Sequence, residues 1–222
     1  MRELPDDELI AYLAYPPQMR PYPFDESLFQ RTVYAPYFDG LTQYVVFESA
    51  NDFIARADDD FEFSISFNRK TWNGGAFAFS TRDGSNYGLN VYLSGNGDSG
   101  LGSIGVFGTQ LSSTGYASNV DYEVVIRKVG VTWYLIVNGS VVSEKVNQAL
   151  PALQSANKAT LAALDGGSFK MNAVVWRVSM KLNGKTRYLM RFNQRNSATQ
   201  NPVIGSVTAN IVNHTNAMWR PL

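Results

Sequence analysis

From residue 37 onward, apolar and polar side chains alternate with a period of two over much of the chain. Phe61, Phe63, Ile65 and Phe67 interleave with Glu62, Ser64 and Ser66. Tyr122, Val124 and Ile126 interleave with Glu123, Val125 and Arg127, and Val131, Trp133, Leu135 and Val137 with Thr132, Tyr134 and Ile136. Val174, Trp176, Val178, Met180 and Leu182 interleave with Val175, Arg177, Ser179 and Lys181. Tyr188, Met190 and Phe192 interleave with Arg187, Leu189 and Arg191. Successive side chains of a strand point to opposite faces, so each run predicts a strand with one buried side. Shorter apolar runs predict strands near 41–48, 76–81, 87–93, 103–107, 141–146, 159–164 and 207–213.

The punctuation agrees. Asn138-Gly139 and Asn183-Gly184 sit between alternating runs, and both residue types tolerate the positive φ of a type I′ hairpin. Gly130 can close a third hairpin. Residues 94–120, rich in Gly and Ser, read as a long loop around one short strand. Residues 148–157 are the one later stretch with helical character, weakened by Pro151. About a dozen strands without βαβ alternation predict an all-β fold, either a two-sheet sandwich or a barrel.

The first 36 residues follow a different pattern. Pro5-Asp6-Asp7-Glu8 ahead of Leu9, Ile10 and Leu13 predicts a short helix, with Pro at its start and acids at the positive end of its dipole. Pro16, Pro17, Pro21 and Pro23 then remove four backbone donors and favour an extended path. We read residues 1–36 as an arm and residues 37–222 as the sandwich domain with a basic, strand-rich C-terminal extension. Tyr12, Tyr15, Met19, Tyr22 and Phe24 would be costly to leave in water. They either strap the arm to its own domain or dock it on a partner.

Composition narrows the chemistry. The 222 residues include no Cys and one His, His214. A disulfide framework, a Cys-containing zinc site and a Cys nucleophile are excluded, and any metal site would use mainly oxygen ligands. No cofactor is expected. No apolar run is long enough to span a bilayer, and Met1-Arg-Glu-Leu-Pro-Asp-Asp-Glu lacks the pattern of a signal peptide, so neither a membrane nor secretion is expected. The net charge of zero conceals a gradient: residues 1–62 carry −9, residues 63–165 carry +1 and residues 166–222 carry +8. The ends can pair within one fold or between neighbouring copies. The basic residues are spread along strands and not clustered, so nucleic acid is not an expected partner.

Several segments, in order, resemble the concanavalin A-like lectin/glucanase superfamily in its laminin-G/pentraxin-like form. Phe38-Asp39-Gly40 precedes Tyr44-Val45-Val46, and Phe63-Ser64-Ile65-Ser66-Phe67 follows. Tyr134 to Gly139 resembles a Tyr-x-Val-Asn-Gly hairpin with one extra residue, and Gly167-Ser168-Phe169 leads into Trp176-Arg177-Val178. The resemblance spans about residues 37–180 and implies a two-sheet antiparallel jelly-roll sandwich. The C-terminal segment, ending in Ile211 to Trp219, is similar to tails seen in virion proteins of tailed bacteriophages.

Candidate chemistry follows from the loops. Glucanases of the superfamily carry a Glu-x-Asp-x-Glu strand, which Asp58, Asp60 and Glu62 match only in part. The same acids read naturally as a solvated turn, and that reading is preferred. Asp83-Gly84-Ser85-Asn86 and Gly95-Asn96-Gly97-Asp98 offer oxygens, as calcium-binding members do, but few carboxylates, and read as turns. Trp72 with Asn73 in a Gly-rich loop could stack on a sugar and bond its hydroxyls, and Tyr87 and Tyr116 are further aromatic candidates. Trp133 and Trp176 read as core, Trp219 as pinning the terminal segment, and His214 as a surface or hydrogen-bonded residue. The leading expectation is a non-catalytic virion component (head decoration, head fibre or tail protein), made in a host cytoplasm. Its partners would be further copies of itself, other virion proteins and a cell-surface glycan. The alternative is a free-standing carbohydrate-binding lectin, and a glucan hydrolase comes third.

Overall fold

The computed structural model describes residues 34–56, 58–71, 74–81, 88–95, 101–106, 111–146, 158–164 and 167–222. The arm residues Tyr12, Tyr15, Met19, Tyr22 and Phe24 lie outside them, as do both stretches with helical character. The described elements are strands and two short 3-10 turns. The first strands are β1 (Tyr34–Asp39), β2 (Tyr44–Phe47), β3 (Phe61–Arg69), β4 (Ala76–Ser80), β5 (Asn90–Gly95), β6 (Gly102–Val106), β7 (Leu111–Tyr116) and β8 (Asp121–Val129). They are followed by β9 (Thr132–Val137), β10 (Ser140–Val146), β11 (Ala159–Leu161), β12 (Asn172–Leu182), β13 (Lys185–Arg191), β14 (Thr199–Gln200), β15 (Ala209–Val212) and β16 (Trp219–Pro221).

These strands form two eight-stranded antiparallel sheets packed as a jelly-roll sandwich. The first runs β10-β9-β8-β3-β12-β1-β16, with β13 also paired to β12. The second runs β14-β15-β2-β11-β4-β5-β6-β7. Both Asn-Gly hairpins form as the sequence predicts: φ is 48° and 79° at Asn138 and Gly139, and 48° and 78° at Asn183 and Gly184. Positive φ at both central residues matches the strand twist on either side.

The inner faces meet in an aromatic core. Phe53, carried on the 3-10 turn Asn51–Phe53, packs edge-on against Phe47 at 5.2 Å and against Phe79 and Tyr188 at 4.8 Å. Phe63 lies 4.6 Å from Phe79, which joins β3 of one sheet to β4 of the other. Towards the β8–β9 hairpin, Phe61 meets Trp133 edge-on at 5.2 Å.

Three expectations need correction. Trp176 is only half-buried, because the pairing of β12 with β3 shifts between Val175 and Arg177. The extra residue of such a bulge reverses the phase of the strand. Ala173 and Val175 therefore enter the core before the bulge and Val178 and Met180 after it, while Val174 turns outward. Trp176 sits where β12 exchanges β1 for β13 as its neighbour. Residues 101–116 hold two paired strands, β6 and β7, where one was expected. The first described strand begins at Tyr34, ahead of residue 37, where the strand pattern was expected to start. Short β16 pairs with it and buries Trp219.

Asp39 shows what the Phe-Asp-Gly segment does. Its carboxylate accepts hydrogen bonds from the backbone N–H of Leu41 and Thr42, both at 2.8 Å, and of Gln43 at 3.1 Å, and from the Thr42 hydroxyl at 2.6 Å. Partial burial pushes the carboxyl upward, but the bonds from Thr42, Leu41 and Gln43 prevail and hold it at about 2. A depressed folded value stabilises fully above the unfolded value of about 4 and is lost as pH falls towards about 2. Asp39→Asn should therefore melt below wild type at neutral pH, and the gap should close in thermal melts taken down to about pH 2.

Candidate functional site

The outer face of the first sheet is built from the polar half of each alternating strand. Pairing register lines these residues up in rows. Lys181, Glu62, Arg127, Tyr134 and Glu144 form one row across β12, β3, β8, β9 and β10. The next row is Ser179, Ser64, Val125, Ile136 and Val141. Arg177, Ser66 and Glu123 form the third.

Long charged rows on either side of short side chains make a cleft. Ser179 and Ser64 point outward yet are only 3% and 4% exposed, so they form its floor, and Ser66 lies beyond it between Arg177 and Glu123. The hydroxyls of Ser64 and Ser179 are hydrogen-bonded at 2.7 Å. Val125, Ile136 and Val141 continue the floor as an apolar strip, and the cleft encloses about 410 Å³. That lies within the usual range for small-molecule sites.

Ion pairs fix the walls. Glu62 accepts from Lys181 Nζ at 2.7 Å and from Arg127 at 2.6 Å. Partial burial pushes its carboxyl upward, but the hydrogen bonds and charges of Lys181 and Arg127 outweigh this and hold it below the ordinary range. On the opposite wall Arg177 approaches Glu123 at 3.7 Å across Ser66. Such an arrangement presents fixed donors and acceptors beside an apolar strip.

The three acids expected either as a turn or as a glucanase-like set are not a catalytic pair. Asp58 lies in a turn before β3. Asp59 accepts from Arg56 N and from Asn183 Nδ2, and Asp60 accepts from Gly130 N at 2.7 Å, so both tie the entry of β3 to neighbouring hairpins. A glycosidic acid needs a raised pKa, and Glu62 has a lowered one. Among the described residues no three His, Cys, Asp or Glu side chains cluster to hold a metal ion.

Of the glycan-contacting residues nominated from the sequence, Trp72, Asn73 and Tyr87 lie outside the described residues. Tyr116 is 8% exposed and packs edge-on against Tyr122 at 5.3 Å, so its ring belongs to the core and offers no stacking face. It closes β7, and its ring turns inward there with Leu111 at the other end. His214 accepts a hydrogen bond at Nε2 from Trp219 Nε1, at 3.2 Å.

Two further features were not nominated. At the far end of the same face, Tyr37, Val174, Asn68 and Asp121 form a row beside a more open hollow of about 710 Å³. Its cations are engaged, Lys70 with Asn68 Oδ1 and Arg220 over the Tyr37 ring. On the outer face of the second sheet, Phe77 lies between Tyr92 at 5.1 Å and Phe169 at 6.1 Å. Phe169 is 56% exposed at φ 49°, a strained conformation for a bulky residue.

No protein-family model matches the chain, and neither does any curated protein sequence. Solved structures do match. A protein of Bacteroides ovatus ATCC 8483, provisionally described as carbohydrate-binding, superposes with a TM-score of 0.62 at 8% identity over 86% of this chain. A heptameric SAP-like pentraxin from Limulus polyphemus superposes with a TM-score of 0.51 at 10% identity over 67% of this chain. The chain spans 60% of the length of the first and 76% of the second. At this identity the likeness establishes the fold alone, a jelly-roll sandwich.

Proposed function

We propose that the chain is a non-catalytic glycan-binding domain, and that the serine-floored cleft on the first sheet is its site. The observation that carries this reading is the makeup of the cleft. A sugar ring has an apolar C–H face and a rim of hydroxyls. Val125, Ile136 and Val141 suit the former. Ser64, Ser179 and the carboxylate–guanidinium pairs suit the latter, because each paired group keeps a spare donor or acceptor in a fixed direction. The carbohydrate-binding description of the Bacteroides ovatus relative supports the same reading.

Virion placement is a narrower proposal resting on the C-terminal resemblance. Neither relative named above is a virion protein, so glycan binding ranks ahead of it. Self-association is a further part of the proposal, supported by the heptameric Limulus relative and by exposed Val142 and Val146 on the edge strand β10.

A glycan array probed with wild type, Glu123→Ala and Val141→Asp tests the site. Both positions are solvent-accessible, so folding should survive. Val141→Asp sets a carboxylate on the apolar strip where the C–H face would rest, and an unmatched charge there should weaken binding at least tenfold. Absence of any bound glycan, or unchanged binding in both variants, would contradict the proposal.

A further inference from the structure

We infer that the ligand of this cleft is an acidic glycan, whose carboxylate or sulfate sits against Arg177 and its neighbour Arg191. The inference rests on the glycan-binding reading of the cleft and names its ligand class. On β13, Tyr188 and Met190 face the core, so Leu189 and Arg191 face outward. The register places Arg191 directly opposite Arg177. Directly opposed side chains have Cβ atoms about 4.5–5.5 Å apart, and like charges in that relation are unfavourable. An arrangement that breaks this rule calls for a compensating anion.

Among the described residues only Glu123 approaches the pair, and only on the Arg177 side. Glu62 is shared between Arg127 and Lys181. Glu123 meets Arg177 only at 3.7 Å, with both side chains more than 40% exposed. Arg191 has no acidic partner among the described residues. The residues lining the cleft, with Arg191 on its β13 border, include four cations, Arg127, Arg177, Lys181 and Arg191, against the carboxylates of Glu62 and Glu123, while Glu144 stands at the far end of the Lys181 row. Ser66, opposite Arg177, is a short side chain that leaves room for a bound anion beside the guanidinium. A guanidinium binds a carboxylate or sulfate through two parallel hydrogen bonds, which a lysine cannot reproduce.

Isothermal titration with trigalacturonate, a galactose-6-sulfate oligosaccharide and neutral galactotriose tests the inference. At least one acidic sugar should bind wild type at least tenfold more tightly than galactotriose, and which one does separates carboxylate from sulfate recognition. The preference should weaken between about 0.05 and about 0.5 M salt. Arg177→Gln/Arg191→Gln should bring acidic and neutral sugars to within about twofold, and Arg177→Lys/Arg191→Lys should restore the preference only in part. Lys170→Gln, outside the cleft, should change nothing. Equal binding of acidic and neutral sugars by wild type would overturn the inference while leaving the glycan reading standing. Binding of none of the three would remove both. An altered oligomeric state in the Arg177→Gln/Arg191→Gln variant, with its sugar preference intact, would assign the arginine pair to a chain–chain contact and overturn the inference.

Discussion

Replacing Trp133 by Ala should destabilise the protein by about 3–5 kcal/mol, the usual cost of emptying a large aromatic site in a core. Trp133 is 1% exposed, and its ring packs edge-on against Phe61 of the same sheet within the core. Solvent cannot fill an apolar void of that size, and strands paired on both sides collapse little. A loss of this size should lower the melting midpoint by roughly 10 °C in a domain of this length. Trp133→Phe should recover most of it, since Trp133 Nε1 has no acceptor among the described residues and the smaller ring buries no polar group. Trp176→Ala should cost clearly less than Trp133→Ala, because the bulge holds that ring half-exposed. Equal losses at the two tryptophans in chemical denaturation would contradict the assigned register of β12.

Phe79→Ala should cause a loss of similar size, again about 3–5 kcal/mol. Phe79 is fully buried on β4, and its ring touches Phe53, Phe63 and Phe47 at centroid distances of 4.8, 4.6 and 5.8 Å. It therefore links the two sheets through Phe63 and anchors the 3-10 turn through Phe53. Aromatic pairs of this geometry contribute about 0.5–1.5 kcal/mol beyond area burial, so Phe79→Leu should recover only part of the stability. Urea denaturation of both variants checks this.

Much of the sandwich is legible in the sequence because its long strands have one wet face. β3, β8 and β9 alternate cleanly, and the Asn-Gly pairs mark two hairpins. The alternation fails where the physics is no longer period two. Trp176 occupies a bulge, and no local composition marks the extra residue. β7 reads Leu-Ser-Ser-Thr-Gly-Tyr because it is the last strand of its sheet and buries only its two end residues, so it resembles a loop. The 3-10 turn that delivers Phe53 to the core has no side-chain cap to announce it.

The candidate site was hidden for a different reason. Ser64, Ser66, Ser179, Glu62, Arg127 and Arg177 are each visible as ordinary outward residues of strands. Their meaning depends on which residue stands opposite which, and cross-strand register is a long-range property. Sequence reasoning looked instead to loop aromatics, and Tyr116, the one described among them, proved to be core. Extending the Asn183-Gly184 hairpin outward residue by residue would place Met190, not Arg191, opposite Arg177. The bulge in the pairing of β12 with β13, beside Lys181, prevents a simple count from giving the true partner.

Backbone amide shifts of the isotope-labelled protein, followed during titration with trigalacturonate, test the central claim most directly. The account predicts that the largest changes fall on Ser64, Ser66, Arg177, Ser179 and their neighbours in β3, β8 and β12. Changes centred on Tyr92 and Phe169 of the opposite sheet, or no changes up to about 1 mM sugar, would contradict it.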